Sequence, residues 1–428
     1  MTAFELVSVL VTVAALLSFA NQKLLRVPAT IGIMVLSLGF SALVLIAGNL
    51  AGGLGHSIVA VVQGIDFNRI VLHGLLAFLL FAGSLHLDVI DLRKQRRTVL
   101  ALSIISTVLS TACVGGLVYL AFPLLGFRLP LSVALLFGAL IAPTDPIAVL
   151  AILRGAGISR ALRIQLSGEA LFNDGVGAVL FVTLLESAGH PAHLAAFGKL
   201  LLVEAGGGIL IGLVAGLATR GLLQRTDEYQ TEILLTLALA IGGFALADSL
   251  HVSAPLEAVV AGLCLGQRGR GEAFSARAQD YVDKFWELVD SMCNAVLFLL
   301  MGLELLVVPF HARFLLAGLV AVLLVLMSRW TSVAVVLLPG LVRKMGFCPE
   351  LLAPIHILTW GGLRGGLSIA LALSLPALEA RGLLLTTTYV VVVFAIVVQG
   401  LTMPRLAHHY RYRRPKLIHA AEANVVSS

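Results

Sequence analysis

Apolar runs of about 20 residues recur along nearly the whole chain, each long enough as a helix to cross a hydrocarbon layer about 30 Å thick. No water satisfies the backbone inside such a layer, so only helices or closed barrels are stable there. The strict two-residue alternation of a barrel is not evident. Composition agrees with helices in lipid: 59% of the 428 residues are hydrophobic and 12% are charged, about half the charged share of an average soluble domain. The fold expected is all-α and polytopic. The four cysteines show no CxxC spacing, so neither a disulfide framework nor a thiolate metal site is indicated. The opening MTAFELVSVLVTVAALLSFA lacks a basic leader and carries Glu5, which reads as an uncleaved first span.

Thirteen spans are expected near 4–20, 29–48, 68–88, 98–122, 131–153, 163–187, 197–219, 231–249, 252–266, 284–308, 313–341, 353–376 and 382–404. They form one transmembrane unit over 1–404, followed by a short basic tail, 405–428. With thirteen spans, one set of connecting segments holds 22 Lys and Arg residues and the alternate set holds 5. Cytoplasmic segments collect basic residues, which places the N-terminus outside and the C-terminus in the cytoplasm of a plasma (inner) membrane protein. The net charge of +6 reflects this topology and needs no nucleic-acid partner. Arg329 and Arg364 remain, both inside expected spans.

A charged side chain at the bilayer centre costs at least about 2.5–3.5 kcal/mol, so those that occur face a cavity and serve it. Counting helical rise from the basic ends, Asp145 and Asp174 reach similar depth on neighbouring antiparallel spans, about 13 and 16 Å in. Asp145 stands between Pro143 and Pro146, two helix breakers that unwind the span and free its carbonyls. A second interruption surrounds Arg364, with Gly361 and Gly362 before it and two glycines after it. The interruptions fall in the fifth span of each of two six-span halves, 4–187 and 231–404. The odd span between the halves inverts one relative to the other. Fold expectation follows: two inverted six-helix repeats, the fifth and twelfth helices broken and crossing at the midplane. Glu169 and Asn173 share a face of the sixth span, whereas Asp174 lies about 140° from Glu169. Asp174 is therefore assigned to the cavity. Glu169 is assigned to a structural ion pair with Arg364.

Three motifs, TDP at 144–146, GEALFNDG at 168–175 and WGGLRGGLSIALALSLP at 360–376, resemble those of the NhaP-type sodium/proton antiporters, the electroneutral branch of the cation/proton antiporters. The resemblance extends to LLFAGSLHLD, VSAPLEAVVAGLCLG and LFLLMGLEL. It implies a homodimer with a mobile six-helix core, and Asp174 as the shared site for cation and proton. Thr144 and Asp145 contribute ligands to the Na⁺, and Asn173 before Asp174 is the pattern of one-for-one exchange. No cofactor is implied; the transported species are H⁺ and Na⁺, with Li⁺ expected and K⁺ the alternative. Two positions depart from the family: Ala170 and Ala82 stand where relatives often carry oxygen ligands, with His86 near the second.

The mechanism expected is alternating access, with cation and proton competing for Asp174. Two readings from other classes compete with it. An intramembrane aspartyl protease lacks its glycines before either aspartate, and a cation channel would show flux without an opposing proton flux. Glu204, Glu257 and Glu304 also lie in apolar runs and are expected to pair with other polar groups or line cavities. His73, His86 and His356 read as packing histidines, and the tail HHYRYRRPK as a segment near anionic lipid or simply the basic cytoplasmic end.

Overall fold

A computed structural model describes residues 2–51, 59, 62, 64–145, 158–187, 194–266, 276–308, 311–345 and 352–412. Ten described helices are long and apolar enough to cross a membrane. In chain order, the first are α1 (Phe4–Leu25), α2 (Ala29–Ile46), α3 (Phe67–Leu85) and α4 (Val89–Leu125). The shorter apolar α5 (Leu131–Ile141) follows, then α6 (Arg160–Glu186), α7 (Leu202–Leu223) and α8 (Tyr229–Ser249). Next come the short α9 (Ala254–Leu265), α10 (Gln279–Leu306) and α11 (Ala312–Val342). Two eight-residue helices, α12 (Ala353–Trp360) and α13 (Gly366–Leu373), precede α14 (Arg381–Tyr410). The polytopic all-α fold is thus present, and among the described residues the only β pairing is one isolated bridge.

Helix starts follow local chemistry. Thr2 and Glu5 form a reciprocal capping box at α1. Asp88 accepts from the Ile90 and Asp91 amides and so starts α4 well before the apolar run expected at 98. The early start carries the basic turn 93–97 as regular helix outside the apolar stretch.

Burial ranks the helices from centre to rim. The most apolar stretches of α6 and α14 are 61% and 67% buried, against 17% for α1 and 22% for α7. α7 turns Leu202, Leu210, Leu213 and Leu217 outward, as a helix facing acyl chains must. α5 is enclosed, with Leu136 through Ile141 fully buried. The helices that carry the sequence motifs are therefore the inner ones. Each expected broken span is interrupted: helix ends at Ile141 in one, and residues 361–365 separate α12 from α13 in the other.

Candidate ion site

The two interruptions meet. The Asp145 amide donates to the Leu363 carbonyl at 2.7 Å, and the pair forms the isolated antiparallel bridge. The approach requires glycine at 365, where a Cβ would lie 2.7 Å from the Cβ of Asp145. Unwound backbone at this depth survives only if its polar groups find partners, and side chains supply them. Arg364 donates to the Ala142 carbonyl and, at 3.1 Å, to that of Pro143. Ala142 is four residues before Pro146, which has no N–H to offer it, so the guanidinium replaces the missing helical donor. Pro146 itself lies outside the described residues. On the other strand of the crossing, Gln399 donates to the Trp360 carbonyl at 3.3 Å, and Gly361 closes α12 by donating to Ile357 at 2.8 Å.

α6 grips the crossing through Asn173. Its side-chain amide donates to Thr144 Oγ1 at 2.7 Å, and its oxygen accepts from the Thr144 amide at 3.3 Å. Asn173 and Thr144 are buried, whereas the flanking Asp174 and Asp145 keep partial exposure. The clasp thus holds two acidic residues, Asp174 and Asp145, on adjoining elements. Their negative charges act on each other. Two carboxylates whose charges act on each other, with the Thr144 hydroxyl nearby, make an oxygen-bearing environment suited to a hard monovalent cation or a proton.

The ion pair differs from expectation. Glu169 pairs with Arg329 of α11, not with Arg364; the two side chains are 1% and 3% exposed. Arg329 also donates to the Leu358 carbonyl at 3.4 Å. Arg364 is committed to the carbonyls of Ala142 and Pro143, which explains the exchange of partners. The signal in the sequence was Arg329 itself, a second arginine deep in an apolar span whose charge needed a counter-ion. A cavity of about 10 Å³, lined by Arg329, Thr359, Gly362 and Arg364, has room for about one water between the two guanidiniums' surroundings. Ala82 and Ala170 are buried and bring no oxygen to the site; His86 Nδ1 donates to the Ala82 carbonyl at 2.7 Å.

Comparison with known proteins gives a consistent result. The family described as "Sodium/hydrogen exchanger, transmembrane" matches residues 8–409. The Na(+)/H(+) antiporter NhaP of Pseudomonas aeruginosa is 43% identical over 424 residues, covering 96% of this chain and 98% of that one. The Na(+)/H(+) antiporter NhaH of Halobacillus dabanensis is 34% identical, covering 81% and 84%. Among solved structures, the sodium proton antiporter MjNhaP1 of Methanocaldococcus jannaschii at pH 8 superposes with a TM-score of 0.71 at 20% identity, over 95% of this chain and 97% of the other.

Proposed function

The chain belongs to the sodium/hydrogen exchanger family of membrane transporters, and on that premise we propose that it exchanges Na⁺ for H⁺ at Asp174. The protein is a transporter, not an enzyme. Its relatives' names specify sodium, and the potassium alternative finds no support among them. The observation that carries the site assignment is the Thr144–Asn173 clasp, which sets Asp174 of α6 against the crossing that bears Asp145.

The Asp174 carboxylate carries one negative charge and holds either one proton or one Na⁺ at a time. Na⁺ and H⁺ then displace each other, and exchange is one for one without a separate coupling device. Thr144 and Asp145 complete the Na⁺ ligation, and Li⁺ is accepted at the same oxygens. Movement of the six-helix core in a homodimer exposes the loaded site to either side of the plasma membrane. Because the Glu169–Arg329 and Arg364 contacts are internal to the crossing's surroundings, they travel with the site and keep its geometry in both states.

The test is proton release from proteoliposomes on addition of Na⁺, Li⁺ or K⁺. Na⁺ and Li⁺ should release protons, and Asp174→Asn should abolish both responses while the protein still elutes as a folded species. Undiminished exchange by Asp174→Asn would exclude this residue as the coupling group.

A further inference from the structure

A groove of about 670 Å³ opens between α11, α12 and α14 and shares Leu326 and Thr359 with the small cavity beside Arg329 and Arg364. Its volume is in the range of about 300–1,000 Å³ common for small-molecule sites. Met327 and Trp330 form one wall, Trp360 and Leu406 the other, and both Met327 and Trp330 are exposed on the surface of α11. His356 and Tyr410 close one end with a 2.6 Å hydrogen bond. The groove therefore has an apolar body and one polar end.

Position decides what fits it. His356 and Tyr410 lie near the ends of α12 and α14 that the basic loops and tail mark as cytoplasmic. Met327 is 15 residues from the same end of α11 at Val342, about 22 Å along the helix. Each helix lines the groove with about one turn, 326–331 of α11, 356–360 of α12 and 406–410 of α14, so an apolar slot is offered at the outer surface beside the cytoplasmic ends of α12 and α14. On α14, Leu406 and Tyr410 are i,i+4 neighbours facing the groove, and the exposed Arg405 and His409 form the adjacent i,i+4 stripe. The sequence continues with Arg411, Arg413, Arg414 and Lys416. The exposed Arg405 thus sets a positive charge beside the groove, where a lipid phosphate would sit.

We propose that this groove is a binding site for an anionic glycerophospholipid of the cytoplasmic leaflet, one acyl chain lying against Met327, Trp330 and Leu406 and the phosphate meeting the Arg405–His409 stripe. Thr359 lines both this groove and the cavity beside Arg329 and Arg364. Bound lipid would thereby brace the outer wall of the helix crossing.

The full-length protein is reconstituted in phosphatidylcholine vesicles with trace phosphatidylglycerol carrying a photoreactive group near its acyl terminus, and adducts are mapped by peptide mass. Adducts are expected at 326–331 and 406–410, competed better by unlabelled phosphatidylglycerol than by phosphatidylcholine. Leu406→Trp fills the groove; displacing about two methylenes should lower that labelling about tenfold. Met327→Trp, from the opposite wall, should do the same, and Leu210→Trp on the lipid-facing α7 should not. Arg405→Gln with His409→Gln should remove the preference for the anionic lipid. Equal labelling of α7, or equal competition by phosphatidylcholine, would overturn the proposal. So would labelling that appears only when residues 413–428 are deleted, since the tail would then be the occupant. The readout is labelling, so its failure is distinguishable from a failure of the coupling scheme at Asp174.

Discussion

Arg329 and Glu169 are each buried where a lone charge would be intolerable, so each depends on the other. Removing either partner should cost about 3–5 kcal/mol, because the survivor is left charged and unsolvated. Thermal unfolding in detergent should show Glu169→Ala and Arg329→Ala each strongly destabilised, and the double variant much less so than their sum. Additive losses would mean the pair does not act as a unit. That Glu169 needed a cationic partner was legible in the sequence; which arginine it chose was not. Arg329 and Arg364 have similar depth and identical chemistry, and the choice rests on the carbonyls of Ala142 and Pro143 claiming Arg364 first. Glu257 presents a related case. It is fully buried against Gly243, where an added Cβ would come within 2.1 Å of its carboxylate. Gly243→Ala should destabilise by about 1–3 kcal/mol through overpacking. Combining it with Glu257→Ala should recover much of the loss, whereas Glu257→Gln, of equal size, should not.

At the scale of elements, the broken helices were readable because their causes are local: two prolines around Asp145 and paired glycines around Arg364. The π-helical turns were not, since widening one helical turn has no comparable sequence signature. Two of them flank the site. The turn Ala101–Ser106 lets Ser103 donate to the Glu169 carbonyl at 3.2 Å, and Ala395–Gln399 presents Gln399 to Trp360. Outside the membrane, Arg160 at the start of α6 is held by Asp88 and Asp91 at the start of α4. Burial pulls the Asp88 carboxyl upward, but amide hydrogen bonds from Asp91 and Ile90 and the Arg160 charge outweigh it and hold it below its ordinary 3.8. A carboxyl depressed by folding adds stability that is whole above that ordinary value and is lost as pH falls through the lower, folded one. The pair is accessible to solvent, so Asp88→Asn should lower stability at pH 7 by less than about 1 kcal/mol. The difference from the parent should shrink in acid and vanish below the depressed value; a difference that grew in acid would contradict this origin.

At the scale of the molecule, hydropathy made the membrane class and the helix positions legible, because the demand that lipid places on backbone is uniform along the chain. The site was legible as a set of residues, and its geometry only in part. Side-chain direction and partner choice come from packing among α4, α6, α11 and α14, helices far apart in sequence. Orientation rests on a separate argument, the concentration of Lys and Arg in alternate connections. It makes a sharp prediction, because Arg93, in the polar first turns of α4, and Arg128, just beyond its other end, must face opposite sides. In a chain freed of its four native cysteines, a cysteine replacing Arg128 should react with an impermeant maleimide added to intact cells. One replacing Arg93 should react only after the membrane is opened. Arg405→Cys, near the C-terminal end of α14, should behave like Arg93→Cys if the number of crossings between them is even. Ten crossings separate positions 93 and 405, α4 and nine after it, when the segment before Asp145 and the broken α12–α13 pair each cross once. Reaction of the cysteine at 405 from outside would therefore remove one crossing from the scheme, and with it the inversion that sets one broken helix against the other.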